Sequence, residues 1–180
     1  TKSNNSAAAV AYIEKLKKID EATKAAYQRQ TMNLGIADFN AERYAQAIVN
    51  FDKSLKYTPD SEIALAATYQ KGEAFSALNR YGEAIPMYQQ LIRSNPTSPY
   101  GIRSLYSMGY AYYNTKDYKA AVTNFQQYIT KGKGVGEPQS IEDATIRIAD
   151  CYLTDKNYAQ ATAMYDKAIN DGRLDRDYEL

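Results

Sequence analysis

The sequence repeats itself. Tyr44, Tyr81, Tyr118 and Tyr158 are separated by 37, 37 and 40 residues, and Ala47, Ala84, Ala121 and Ala161 keep the same steps, as do Phe51, Tyr88, Phe125 and Tyr165. Upstream, Gly35, Gly72, Gly109 and Ala149 follow the register, and downstream come Leu55, Ile92, Ile129 and Ile169, with Pro59 and Pro96 closing the first two units. A length of 180 residues admits either one large core or several stacked units. The period selects stacking, because a unit this small buries its apolar face only against its neighbours.

Each column has a physical reason. Ala47, Phe51, Ser54 and Leu55 fall at i, i+4, i+7 and i+8, one face of a helix that must be buried. The preceding segment carries Leu34, Gly35 and Phe39, and the bare Gly35 lets a neighbouring helix approach. The polar turns between the two segments (Ala41 to Arg43, Asn79 to Arg80, Lys116 to Asp117, Lys156 to Asn157) are so short that they permit only a helical hairpin. Ser98 before Pro99 predicts an N-cap with proline at the first helical position. Asp60 or Ser61 is expected to cap the unit before it, and Ser140 with Asp143 predicts a capping-box-like start for the fourth. Val10, Ile13 and Leu16 predict a further amphipathic helix from Ala7 to about Asp20.

These columns resemble the tetratricopeptide repeat family, whose pattern runs W-x2-L-G-x2-Y, then A-x3-F, then P. Leu105, Met108, Gly109, Tyr112, Ala121 and Phe125 match it best. The first unit offers Leu34, Gly35, Ala47, Phe51 and Pro59, the second Gly72, Phe75, Ala84, Tyr88 and Pro96, and the fourth Ala149, Tyr152, Ala161, Tyr165 and Ala168. Thr31, Thr68, Leu105 and Thr145 replace the tryptophan, Asp38 stands where an aromatic is expected, and Lys133 and Arg173 replace the closing proline. The resemblance implies an all-α right-handed superhelix of antiparallel pairs, with first helices lining a concave wall where partners lie. The layout expected is a capping helix region over 1–27, four units at about 28–61, 65–98, 102–135 and 142–175, and the start of a further helix or tail at 176–180. The lengthened units look like those of bacterial cell-envelope tetratricopeptide proteins, so the periplasm or cell envelope is the expected compartment, the cytoplasm the alternative, and this chain a segment of a larger protein.

Composition narrows the function. With 22 basic and 21 acidic residues the formal charge is +1, which gathers no nucleic acid. Lys15, Lys17, Lys18 and Lys24, mixed with Glu14, Asp20 and Glu21, read as a solvated face. No apolar run approaches the ~20 residues of a transmembrane helix. There is no His, and Cys151 is the only thiol, so neither a metal nor a cofactor is expected and no catalytic set emerges. Cys151 reads as a packed thiol. Gly132, Gly134 and Gly136 read as a linker, since no strand precedes them and no Gly-Lys-Ser/Thr follows.

The family's carboxylate-gripping positions hold Met32, Ile36, Gln70, Arg103 and Ser107 here, of which only Arg103 suits that task. Arg103, Tyr106, Tyr110 and Tyr113 instead recur at i, i+3, i+7 and i+10, opposite Leu105, Gly109 and Tyr112. Tyr69 and Glu73 hold matching places in the second unit, and Met32, Ile36 and Phe39 in the first. These nine are the candidate partner-binding groove, with gap-filling between first helices as the competing role. A protein or extended peptide is the expected partner, tyrosine supplying both an apolar face and a hydroxyl. A glycan-binding helical-repeat module of an outer-membrane lipoprotein is the alternative.

Overall fold

The computed structural model describes residues 2–136 and 138–170, and every regular element among them is an α-helix. In order these are α1 (Lys2–Ile13), α2 (Glu21–Asn40), α3 (Tyr44–Lys56), α4 (Ser61–Ala77), α5 (Tyr81–Ser94), α6 (Pro99–Asn114), α7 (Tyr118–Lys131), α8 (Pro138–Thr154) and α9 (Tyr158–Asn170). The chain divides into two compact units, Thr1–Leu91 and Ile92–Leu180. In the first, α1 packs on α2, α2 on α3 and α3 on α4; in the second, α6 packs on α7, α7 on α8 and α8 on α9.

The four hairpin turns share one geometry. Glu42, Asn79, Lys116 and Lys156, spaced like the repeat, adopt left-handed backbone with φ of 59°, 58°, 65° and 59°. In each turn the next residue's amide bonds five residues back, as Arg43 to Asp38, Arg80 to Phe75, Asp117 to Tyr112 and Asn157 to Tyr152. This is the Schellman ending, which satisfies carbonyls the helix would otherwise leave open.

Within each pair the small-residue column meets the aromatic column. A Cβ at Gly35 would stand 2.4 Å from the Phe51 ring, one at Gly72 2.7 Å from Tyr88, and one at Gly109 2.6 Å from Phe125. All three rings are fully buried. The fourth unit has Ala149 in that column, and its ring, Tyr165, stays half-exposed. Asp38, the residue in place of an aromatic, is buried and accepts hydrogen bonds from Arg43 at 2.7 Å and Asn50 at 2.7 Å. Gln28, also buried, closes the first linker: its amide donates to the Asp60 carbonyl at 2.8 Å and its carbonyl accepts from the Asp60 N–H at 3.0 Å.

Asp60 and Ser98 cap α4 and α6 as expected, accepting from Ile63 and Gly101. The ends of the array differ from expectation. The first helix spans Lys2–Ile13, not Ala7 to Asp20, because Asp20 accepts the Thr23 amide and starts α2 there, leaving Leu16 exposed in the connection. The first unit accordingly begins at Glu21, seven residues before position 28. Ser140 lies inside α8 and does not cap it. The expected end of the fourth unit at 171–175 and the further helix or tail at 176–180 lie outside the described residues.

Replacing Gly109 with Leu is expected to cost about 1–3 kcal/mol by overpacking against Phe125, read as a lower midpoint in urea. In α9 only Ala161 and Ala168 are buried. Hydrogen exchange should therefore find α9 less protected than α7, and equal protection would contradict this gradient.

Candidate partner-binding face

In the second compact unit, the side of α6 away from Leu105 and Gly109 carries Arg103, Tyr106, Tyr110 and Tyr113. Arg103 is exposed and the three tyrosines are half-buried. Tyr106 and Tyr110 meet edge to face at 5.1 Å between centroids and 76°, and both pack on Phe125, at 6.0 and 5.4 Å. Both hydroxyls donate to the same Asp143 oxygen on α8, Tyr106 at 2.8 Å and Tyr110 by a shorter bond. Tyr113 turns instead onto Tyr118, 5.8 Å away.

α8 extends the network by one turn after another. Arg147 reaches back to Asp143 at 3.3 Å and on to Asp150 at 2.6 Å, and Asp150 accepts the Tyr165 hydroxyl at 2.6 Å. Asp143, Arg147 and Asp150 sit at i, i+4 and i+7, so one helical face holds all three. Sequence reasoning left them out because it stopped at the third unit. A step of 40 rather than 37 places Asp143 in the Arg103 column, Arg147 in the Ser107 column and Asp150 in the Tyr110 column.

In the first compact unit, the Tyr88 hydroxyl donates to Glu73 at 2.6 Å and lies 3.0 Å from the Ser76 hydroxyl, while the Tyr69 ring stands 6.2 Å from Tyr88. Glu73–Tyr88 and Asp150–Tyr165 are the same pair, each 15 residues apart. Where the second helix carries Phe51, the matching first-helix position holds apolar Ile36 and no acid. Ile36 is exposed at 38%, and Phe39 packs on Tyr44 at 5.2 Å. Met32 is buried, which removes it from the face. The structure thus brings Tyr106 and Tyr110 together around Asp143 and keeps Arg103 and Ile36 open.

Burial first, then the bond to Asp143, raises the Tyr110 hydroxyl to about 12. The bond to Asp150 first, then burial, raises Tyr165 to about 12. Burial also holds Tyr88 and Tyr106 well above the ordinary phenol range. Burial pushes the Cys151 thiol up to about 12, leaving it protonated and enclosed, unsuited to nucleophilic attack.

A raised folded-state pKa gives stability that is complete below the unfolded value, about 10 for tyrosine, and lost as pH rises through the folded value. The urea midpoint should therefore hold up to about pH 9 and fall between pH 10 and about 12. Tyr165→Phe should reduce that alkaline loss, and an unchanged profile would contradict this assignment.

Comparison with known proteins places this geometry. A family model described as tetratricopeptide repeat matches residues 32–99 and again 69–136. No curated protein sequence matches the chain. Among solved structures, MamA 41-end from Desulfovibrio magneticus RS-1 is similar with a TM-score of 0.70 at 17% identity, covering 97% of each chain. YrrB, titled a TPR protein with an unusual peptide-binding site, has a TM-score of 0.69 at 22% identity over 96% of this chain and 80% of that one. BtubC (BKLC) from P. vanneervenii reaches 0.74 at 16% identity over 92% and 69%. At these identities the structures speak for the fold, and the two family-model placements, together spanning residues 32–136, show that this chain belongs to the tetratricopeptide repeat family.

Proposed function

We propose that this chain is a non-catalytic scaffold that binds an extended peptide of another protein along the exposed face of its first helices α6 and α8. The carrying observation is the surface on α6 and α8, where exposed Arg103 adjoins half-buried Tyr106 and Tyr110, whose hydroxyls Asp143 holds in place. Fixed rings bind with little loss of side-chain freedom, which favours them as contacts. The charges alternate along α8 as Asp143, Arg147 and Asp150, which suits a peptide with alternating polar groups better than a uniformly charged one. Tyr106 and Tyr110 meet edge to face, so they do not form the coplanar pair on which a sugar ring stacks. That argues against the glycan-binding alternative. The lengthened repeat supports placing the protein in a bacterial cell envelope, which fractionation of the expressed full reading frame would test.

Peptides selected from a displayed library against this chain give the direct test. Arg103→Ala alters an exposed side chain, so thermal melts should hold. The affinity of a selected peptide should fall by about 1–2 kcal/mol. Tyr106→Phe removes one hydroxyl and keeps the packing ring, so it should loosen the Asp143 contact with a smaller loss. Selected peptides that bind both variants as tightly as the parent would refute this surface, and saturable binding of an oligosaccharide in place of peptides would favour the alternative.

A further inference from the structure

The first compact unit holds a cleft that the repeat does not account for. It encloses about 150 Å³ and is lined by Tyr27 of α2, by Tyr57 just after α3, and by Ile13 and Ile19 at the end of α1 and in the connection that follows. Tyr27 is buried, the other three are half-buried, and the two rings meet edge to face at 5.7 Å. Neither tyrosine recurs. The column of Tyr27 holds Ala64, Gly101 and Ile141 in the later units, and that of Tyr57 holds Ser94 and Lys131. Two exposed lysines, Lys17 and Lys56, complete the lining together with Glu14 and Leu16.

The charges around the cleft are unequally spent. Glu14, its one acid, accepts the Lys53 ammonium at 2.9 Å and the Tyr27 hydroxyl at 2.9 Å, and these bonds hold its carboxyl below the usual carboxylate range. Lys24, whose ammonium lies 5.9 Å from the centre of the Tyr57 ring, is paired with Glu21 at 2.7 Å. Lys17 and Lys56 have no carboxylate partner among the described residues, and the Lys56 ammonium stands 5.1 Å from the centre of the same ring. Two uncommitted cations beside an aromatic and aliphatic wall suit an anion that carries an apolar body. We propose that this cleft binds a compact organic carboxylate, with its charge on Lys17 and Lys56 and its hydrocarbon part against Tyr57 and Ile19. Size sets the class, because a cavity of about 150 Å³ admits one benzene ring. A free acid and the last residue of a peptide chain share this chemistry. The cleft shares no residue with the α6–α8 face, so either reading can fail without the other.

The probe is para-fluorobenzoate, titrated against the whole chain and followed by fluorine NMR. Saturation with a Kd of about 1 mM or below is expected for a ligand of roughly ten non-hydrogen atoms. Lys17→Ala and Lys56→Ala should each weaken it about tenfold with thermal melts unchanged, because both side chains are exposed. Lys15→Ala, in the same run of lysines but outside the lining, should leave it unchanged. A second titration uses acetyl-Gly-Gly-Phe with a free carboxylate: tighter binding than the probe assigns the cleft to a chain end, weaker binding assigns it to a free acid, and either supports the carboxylate chemistry. No saturation up to about 10 mM would overturn the proposal. So would equal binding of the neutral para-fluorobenzyl alcohol, equal loss on Lys15→Ala, or displacement by inorganic phosphate at the probe's own concentration, which would leave charge alone as the attraction.

Discussion

The contact between a bare backbone position on each first helix and an aromatic ring on the second sets the geometry of this protein. Phe51, Tyr88 and Phe125 reach full burial because Gly35, Gly72 and Gly109 leave no Cβ in their way. Glycine inside a helix costs roughly 1 kcal/mol relative to alanine, and a buried aromatic ring returns several times that. Where Ala149 occupies the column, the ring opposite is only half-buried and the hairpin has little else to enclose. The ring's chemistry then tunes its neighbour. Tyrosine at this place keeps its hydroxyl by donating to Glu73 or Asp150, whereas the matching position 15 residues before Phe51 holds apolar Ile36.

That contact fixes which side of each first helix is committed to packing and so which side is left over. Leu105 and Gly109 point toward α7, and the opposite phase of α6 carries Arg103, Tyr106 and Tyr110. The competing roles of binding and gap-filling turn out to share these rings. Tyr106 and Tyr110 rest on Phe125 and are tied to Asp143, so they stiffen the α6–α8 neighbourhood while still showing part of their surface. A binding surface built in this way is preorganised by the core beneath it, and a partner then orders few side chains.

The periodic part of the structure was legible because the repeat forces it. The helix pairs, the hairpin turns, the glycine crossings and the Ser98 cap all follow from residues that recur with local physical reasons. The misreadings have separate causes. Leu16 is apolar and in phase with α1, yet Asp20 starts a new helix and the connection takes Leu16 out to solvent. Met32 shares a column with Tyr69 and Tyr106, yet it is buried where they are half-buried, and tertiary burial of that kind leaves no mark on local spacing. Asp143, Arg147 and Asp150 were readable in principle. They lie in the Arg103, Ser107 and Tyr110 columns once the 40-residue step is applied, and their absence from the expected groove came from ending the columns one unit early.

The central claim is that the exposed face of α6 and α8, set opposite the glycine-to-ring contact, is where a partner lies. Amide chemical-shift mapping with a saturating selected peptide tests this most directly. The account predicts perturbations concentrated on Arg103, Tyr106, Arg147 and Asp150, with the outward residues of α7 quiet. Perturbations concentrated on Thr123, Gln127 and Thr130 of α7, with Arg103 and Arg147 unmoved, would contradict it.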